Sequence, residues 1–203
     1  ALRQRNALLK SQDGRQLAAW DEELAKAAVP VVRLRRQVAE FLNARACAHY
    51  AFIGGREEER FALRYQGCLQ DSDRVYEDML QGLRRSREED LRRQTTSFGP
   101  HRDDLSLTLS DGDMRAFASQ GQARTAALSM KLAAFDLLED SQGEPPLLLL
   151  DDVLSELDPD RRRRLLSRIA HVQTLLTCTD MTDLTGAAPQ CVLRVQNGQL
   201  LES

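Results

Sequence analysis

The spacing of apolar residues changes along the chain, and each change predicts a different kind of element. Between residues 20 and 41 apolar side chains recur at alternating steps of four and three, which is typical of one long helix. The seam consists of Trp20, Leu24, Ala27, Val31, Leu34, Val38 and Phe41. Pro30 lies inside this run and is expected to kink or split the helix near Val29.

An apolar seam of this kind needs a partner helix to cover it. Residues 72–93 can supply one, because Val75, Met79 and Leu83 recur there at steps of four. We therefore expect residues 15–47 to pack against residues 72–93 as a helical arm. The side chains expected to be buried in it are Trp20, Leu24, Leu34, Val38 and Phe41.

Shorter patterns predict turns and strands. Phe52–Gly55 and Phe61–Tyr65 are typical of turn and strand, and Leu105–Leu109 alternates strictly between apolar and polar residues. The acidic run Glu57–Glu59 between them is most simply a solvated patch. Residues 191–201 have the pattern of a closing hairpin.

The run Leu147–Leu150, bounded by prolines and acids, predicts a short strand buried on both faces within a helix-covered sheet. It ends in Asp151 and Asp152, at the strand end where α/β sheets bind ligands. Leucines followed by two aspartates form a Walker B pattern, in which the first acid serves Mg²⁺ and the second orients a water. Ser155–Asp158 follows at the spacing of the D-loop of ABC-type ATPases, and residues 173–180 predict a neighbouring strand. Taken alone, the leucines and aspartates are equally compatible with a core strand and a capping acid pair.

A second polar segment, Ser119–Gln122, leads into a predicted helix from Ala123 to about Asp140. A small, glycine-containing loop at a helix N-terminus can bind an anion through free N–H groups and the helix dipole. A plain serine N-cap is the alternative. The run Arg161–Arg164 wraps a whole helix, so we expect solvated surface there rather than a DNA contact.

Composition limits the class of protein. The 203 residues suffice for one large domain or two small ones, and no apolar run approaches membrane-spanning length. The first residues do not resemble a secretory signal, so a cytosolic protein is expected. The four cysteines form no C-x-x-C pair and are expected to be reduced thiols. A net charge of −3 gives no global signature of nucleic-acid binding.

Four motifs in order resemble the RecF family of bacterial recombination mediators, whose ATPase head is related to that of SMC proteins. They are Gln4–Lys10, Gly99–Asp104, Ala118–Arg124 and Leu149–Asp158. The resemblance implies an α/β fold, the C-terminal half of an ABC-type ATPase head with a mainly helical arm. The arm would be residues 1–94 and the head residues 95–203.

The resemblance also implies roles for individual residues. Asp151 would hold Mg²⁺, and Asp152 would be the catalytic residue that orients the attacking water. The ATP-contacting and interface residues would be Ser119, Gln120, Gly121, Gln122, Ser155, Asp158 and, where transporter ATPases carry a switch histidine, Thr179. The implied partners are ATP, a second copy of the protein, DNA at single-strand/double-strand junctions, and RecR, RecO and a RecA-type recombinase.

One family motif does not occur in these residues. The Walker A pattern G-x-x-x-x-G-K-[ST] is nowhere in the sequence, and in RecF proteins it precedes the Gln4–Lys10 region. We expect a RecF chain lacking its start, which alone binds ATP weakly and does not hydrolyse it. Two alternatives remain at this stage, a transporter nucleotide-binding subunit and a non-catalytic interaction module.

Overall fold

The computed structural model describes residues 1–11, 14–56, 58–69, 73–110 and 112–201, in which long helices accompany three small sheets. The helices are α1 (Leu2–Ser11), α2 (Leu17–Gly54), α3 (Val75–Arg93), α4 (Met114–Phe117), α5 (Gln120–Gln142) and α6 (Pro159–Ile169). The strands are β1 (Phe61–Gln66), β2 (Asp104–Leu109), β3 (Gly112–Asp113), β4 (Leu148–Leu150), β5 (Thr174–Leu176), β6 (Arg194–Gln196) and β7 (Gln199–Leu201). Across these ranges, no helix has the length and apolar run that a bilayer crossing requires.

The longest element is α2, whose 38 residues continue through Pro30 without a break. A proline removes one helical hydrogen bond, and the residues two positions to either side of Pro30, Ala28 and Val32, are buried in the arm. The helix ends where Gly55 adopts a left-handed conformation, φ 63°, and donates its N–H to Ala51 O at 3.1 Å. Of the kink or split predicted near Val29, the split does not occur, and of the predicted turn Phe52–Gly55 only Gly55 lies outside the helix.

The arm forms by packing α2 against α3, as predicted. Its buried cluster consists of Leu24, Ala25, Ala28, Val32, Leu69, Val75, Met79 and Leu83. The predicted burial is correct for Leu24 and wrong for Leu34, which is 61 % exposed. Trp20, Val38 and Phe41 are only half-buried.

The buried face of α2 differs from the predicted seam because α5 packs closely against it. Ala39 and Ala46 of α2 share one cluster with Ala126 and Ala133 of α5. Such small side chains allow two helix backbones to approach each other. The alanines therefore occupy the interface, and the larger Leu34 lies on a neighbouring, exposed face.

A three-stranded antiparallel sheet has the order β1-β2-β3. Phe61 pairs with Leu109 and Gln66 with Asp104, which confirms the two strands that the sequence predicts here. Because β1 precedes residue 94 and β2 follows it, this sheet crosses the predicted boundary between arm and head. The division of the chain at that residue stays a prediction.

The second sheet pairs β4 with β5 in parallel, with Leu149 opposite Leu175. Leu148 and Leu150 are buried in a cluster with side chains of α5 and α6. Leu149, in contrast, is 68 % exposed, so the prediction of burial on both faces is wrong for the described structure. The third sheet is the hairpin of β6 and β7, as predicted.

A buried ionic network joins α1, α2, α3 and the segment after α3. The guanidinium of Arg5 donates to Asp21 and Asp90, both at 2.7 Å, and to Thr96 Oγ1 at 2.8 Å. Asp90 also accepts the backbone N–H and the hydroxyl of Ser97. Burial raises the pKa of Asp90, but the hydrogen bonds from Ser97 and Arg5 outweigh this effect and hold it below the ordinary value.

The Gly99–Asp104 motif is tied into the same region. Thr96 O accepts a hydrogen bond from His101 Nε2 at 3.0 Å and from Arg102 Nη2 at 3.4 Å. Asp103 accepts from the Tyr65 hydroxyl. These contacts give the motif a structural role in joining the arm to β2.

Candidate functional site

The acid pair lies at the carboxyl end of β4, as the sequence predicts. Asp151 and Asp152 are both exposed, and Thr177 lies beside them just beyond β5. The Thr177 hydroxyl donates to Asp151 Oδ1 at 2.6 Å and accepts the backbone N–H of Asp152 at 2.9 Å. One threonine therefore orients the first acid and fixes the backbone of the second.

The backbone at Asp152 is left-handed, with φ 47°. Aspartate adopts this conformation more readily than most residues do. Both backbone polar groups of Asp152 are hydrogen-bonded, because Thr177 Oγ1 accepts its N–H and Ser155 Oγ donates to its carbonyl oxygen at 3.0 Å. The turn that follows β4 thus has one defined shape.

The segment Ser119–Gln122, which corresponds to the signature loop of ABC-type ATPases in the predicted resemblance, forms a capping box at the start of α5. Gln122 N donates to Ser119 Oγ at 3.3 Å, and Ser119 N donates to Gln122 Oε1 at 2.8 Å. The first N–H groups of any helix have no acceptor within the helix, and the helix dipole favours negative charge there. Ser119 and Gln120 are exposed, so this loop can accept an anion from outside the chain.

The D-loop segment lies against the start of α5. Arg124 pairs with Glu156 at 3.1 Å, and Asp158 caps α6 by accepting Arg161 N at 2.9 Å. A Cβ added to Gly121 would lie 2.9 Å from Arg161 Nη1, so glycine permits this close approach. The structure therefore brings the start of α5 and the D-loop segment together.

The arginines of the run have separate partners within the chain, and the predicted solvated surface is found at Arg163 but not at its partly buried neighbours. Arg162 pairs with Asp183 at 2.6 Å and donates to the carbonyl oxygens of Leu154 and Leu157, just before and within the D-loop segment. Arg164 Nη1 donates to Ile53 O at 3.3 Å. Arg163, which pairs with Asp160, is the exposed member. The run thus fixes α6 to the D-loop segment and to the end of α2.

Glu59 belongs to the site, although the sequence predicts a solvated patch there. Its side chain is only 11 % exposed and accepts hydrogen bonds from Tyr50 Oη and Gln122 Nε2, both at 2.9 Å. Burial raises the pKa of Glu59, but the hydrogen bonds from Gln122 and Tyr50 with the charge of Arg56 lower it below the ordinary value. Glu58 is exposed as predicted, and Glu57 lies outside the described residues.

Sequence reasoning therefore missed Thr177 and Glu59. The signal for Thr177 was its place at the end of a strand parallel to β4, whereas Thr179, chosen at that edge, is exposed and lies two residues further along. Glu59 gave no local signal, because its partners are 9 and 63 residues away in the chain.

The acid pair is suited to bind a magnesium ion whose remaining ligands come from a bound phosphate and water. Within the described ranges, no three His, Cys, Asp or Glu side chains group as a metal site. Asp151 presents an exposed carboxylate oriented by Thr177. Mg²⁺ often takes one or two carboxylates and fills its other positions with water and phosphate oxygens.

Comparison with curated proteins gives relatives along almost the whole chain. It is 37 % identical over 204 residues to the DNA replication and repair protein RecF of Clostridium perfringens (strain 13 / Type A), covering 98 % of this chain and 56 % of the relative. It is 41 % identical over 214 residues to RecF of Gloeobacter violaceus, with the same coverage. The chain spans about half the length of the curated relatives it matches. No family model matches the chain.

Solved structures agree with these relatives. A structure of the recombination mediator protein RecF with ATP, in the RecFOR pathway, matches 98 % of this chain and 54 % of its own, with a TM-score of 0.83 and 31 % identity. An SMC ATPase matches 83 % of this chain with a TM-score of 0.52 and 12 % identity, which shows a shared fold alone. The curated relatives and the solved RecF structure together assign the chain to the RecF family, and it spans about half the length of the members it matches.

Proposed function

We propose that the chain forms the arm and the C-terminal part of the head, residues 1–94 and 95–203, of an ATP-dependent DNA replication and repair protein of RecF type. The observation that carries the proposal is the match to RecF proteins at 37–41 % identity over 98 % of the chain. In this proposal the protein dimerises with ATP on DNA, at single-strand/double-strand junctions in the cytoplasm. There it helps RecR and RecO to load a RecA-type recombinase.

The proposed site uses residues of two copies. In one copy Asp151 binds Mg²⁺ together with the ATP phosphates, and the ion neutralises phosphate charge when bound. Asp152 accepts a hydrogen bond from the attacking water and orients it. From the facing copy, Ser119–Gln122 offers N–H groups and a hydroxyl to the γ-phosphate. Ser155 and Asp158 lie at the interface, and Thr179 follows β5 at the same edge.

The geometry supports this division of roles. The acids have a fixed backbone and an oriented carboxylate. The signature loop is exposed at a helix N-terminus, and a partly exposed ion pair of Arg124 with Glu156 links the start of α5 to the D-loop segment. An exposed helix N-terminus of this kind suits a phosphate carried by another copy.

The test is made in a full-length RecF protein that carries this sequence over the matched region. Ser119→Arg should leave ATP binding to the monomer unchanged and abolish ATP-driven dimerisation and turnover, because the bulky cation blocks the loop. Ser141→Arg, at the exposed end of the same helix, is the matched control. Light scattering with ATP measures dimerisation.

Asp152→Asn should have the opposite effect. The amide tolerates the left-handed backbone but orients the water poorly, so dimers should form and persist while turnover falls. Asp160→Asn, on the exposed start of α6, is the control. Normal dimerisation of Ser119→Arg, or turnover at the parent rate in Asp152→Asn, would show that this assignment of roles is wrong.

A further inference from the structure

We infer that Glu59 is a positioning residue that holds the signature loop in its phosphate-accepting shape and fastens that loop to the end of α2. The phosphate-binding role of the loop is taken from the proposed function, on which the inference rests. The positioning role of Glu59 is argued from its hydrogen bonds. Glu59 belongs to none of the motifs by which the sequence resembles RecF.

The contacts of Glu59 lead from the helical arm to the signature loop. Tyr50, which is 1 % exposed on α2, donates its hydroxyl to Glu59 Oε2 at 2.9 Å. Gln122 Nε2 donates to Glu59 Oε1 at 2.9 Å, and Arg56 contributes a contact to the same oxygen at 3.1 Å. Both carboxylate oxygens of Glu59 are thus hydrogen-bonded, Oε2 to Tyr50 of α2 and Oε1 to Gln122 of α5.

Both polar atoms of the Gln122 side-chain amide are hydrogen-bonded. Its Nε2 donates to Glu59, and its Oε1 accepts the backbone N–H of Ser119. The capping box therefore depends on a carboxylate far away in sequence. The Gln122 amide keeps one further N–H, and Ser119 and the first N–H groups of α5 are the other donors that the loop can offer to a phosphate.

The packing around these contacts favours a rigid arrangement. Gly54 lies against Tyr50 and against Thr125 of α5, at the contact distances that a Cβ would make, 3.6 and 4.0 Å. Thr125 is buried and donates its hydroxyl to Gly121 O at 2.8 Å. A shift of the end of α2 would therefore displace the loop through Glu59 and through Gly54 together.

The inference is first tested on this chain by hydrogen exchange at the backbone N–H groups of Ser119, Gln122 and Ala123. Glu59→Gln keeps the size of the side chain but can no longer accept on both oxygens. Hydrogen bonds to ionised groups are worth about a tenfold change in an opening equilibrium, so these N–H groups should exchange about ten times faster. Glu58→Gln, on the exposed neighbour, should leave the exchange unchanged.

A reciprocal exchange of side chains separates a direct hydrogen bond from general damage. In the double variant Glu59→Gln with Gln122→Glu, the new amide can donate to the new carboxylate and still accept from Tyr50. Protection of Ser119 and Ala123 should return to within about threefold of the parent, which restores about half or more of the free energy lost in a tenfold change. Unchanged exchange in Glu59→Gln, or no recovery in the double variant, would overturn the inference.

The functional readout uses the full-length RecF protein that carries this sequence. Glu59→Gln should weaken ATP-driven dimerisation by about tenfold and lower kcat, while ATP binding by the monomer stays at the parent value. If Ser119→Arg dimerises normally, the proposed function fails. If Ser119→Arg loses dimerisation but Glu59→Gln behaves like Glu58→Gln, only the positioning role of Glu59 fails.

Discussion

At the scale of single residues, similar side chains have very different surroundings in this chain. Leu24 and Leu34 lie on the same helix and belong to the same apolar pattern, yet Leu24 is 7 % exposed and Leu34 is 61 % exposed. The difference arises because α3 covers one face of α2 and leaves the next face open. Stability should follow these surroundings and not the pattern.

Truncation of the two leucines should therefore have unequal effects. Leu24→Ala should lower the free energy of unfolding by about 2–5 kcal/mol, because it opens a cavity in the arm. Leu34→Ala should change it by less than about 0.5 kcal/mol, as is usual for a surface substitution. Urea denaturation of the two variants measures both values under the same conditions. Equal losses would mean that Leu34 is covered in solution.

At the scale of elements, the sequence predicted most helices and strands, since their periods are local properties. The two paired strands β1 and β2, the parallel neighbour of β4 and the hairpin of β6 and β7 all appear where the patterns indicated. It could not predict the α2–α5 interface, because alanines carry little hydrophobic signal. Within the site, the acid pair and signature loop have local motifs, whereas Thr177 and Glu59 act only through partners brought by the fold.

Three helices meet at His49, and this junction should make stability depend on pH. His49 Nε2 of α2 contacts Asp136 of α5 at 2.7 Å, and Arg168 of α6 contacts the same carboxylate at 3.1 Å. Burial lowers the pKa of His49, Arg168 and Arg45 lower it further, and Asp136 opposes them without cancelling the effect. The pKa of His49 in the folded chain thus lies below the ordinary value of about 6.5.

Because the unfolded chain takes up the proton first, the contribution of His49 to stability is complete above about pH 6.5. It should decline as the pH falls below that value toward and through the lowered pKa. His49→Gln cannot ionise, so its free energy of unfolding should change less between about pH 7 and 5. His171→Gln, at an exposed position, should keep the dependence of the parent. A parent-like slope in His49→Gln would contradict the prediction.

At the scale of the whole molecule, one sheet leaves an apolar surface uncovered. Leu147, Leu149 and Leu175 are 50, 68 and 56 % exposed, and the last two are opposite each other in the parallel register. Contiguous apolar surface of this kind marks an interaction site or promotes association. The surface adjoins β4, which ends in Asp151 and Asp152, so a molecule that covers the surface would also border the candidate functional site.

The chain by itself should therefore bind a hydrophobic dye and self-associate as its concentration rises. Leu149→Thr with Leu175→Thr keeps strand-forming side chains and should reduce both properties. Leu34→Thr removes one exposed leucine elsewhere and serves as the control. Dye fluorescence measures dye binding, and sedimentation measures self-association. If both stay unchanged in the double variant, Leu149 and Leu175 do not form the associating surface.

Because α2 continues unbroken through Pro30, a change in the direction of the helix at one end displaces the other end. Asp21 near one end holds α1 through Arg5, and Tyr50 near the other holds the signature loop through Glu59. At 1.5 Å per residue the two points lie about 44 Å apart along the helix axis. Over that length, a tilt of about 5° would move the far end by about 4 Å. A small reorientation of α2 at the signature loop would thus be accompanied by a displacement of several ångströms where the helix holds α1.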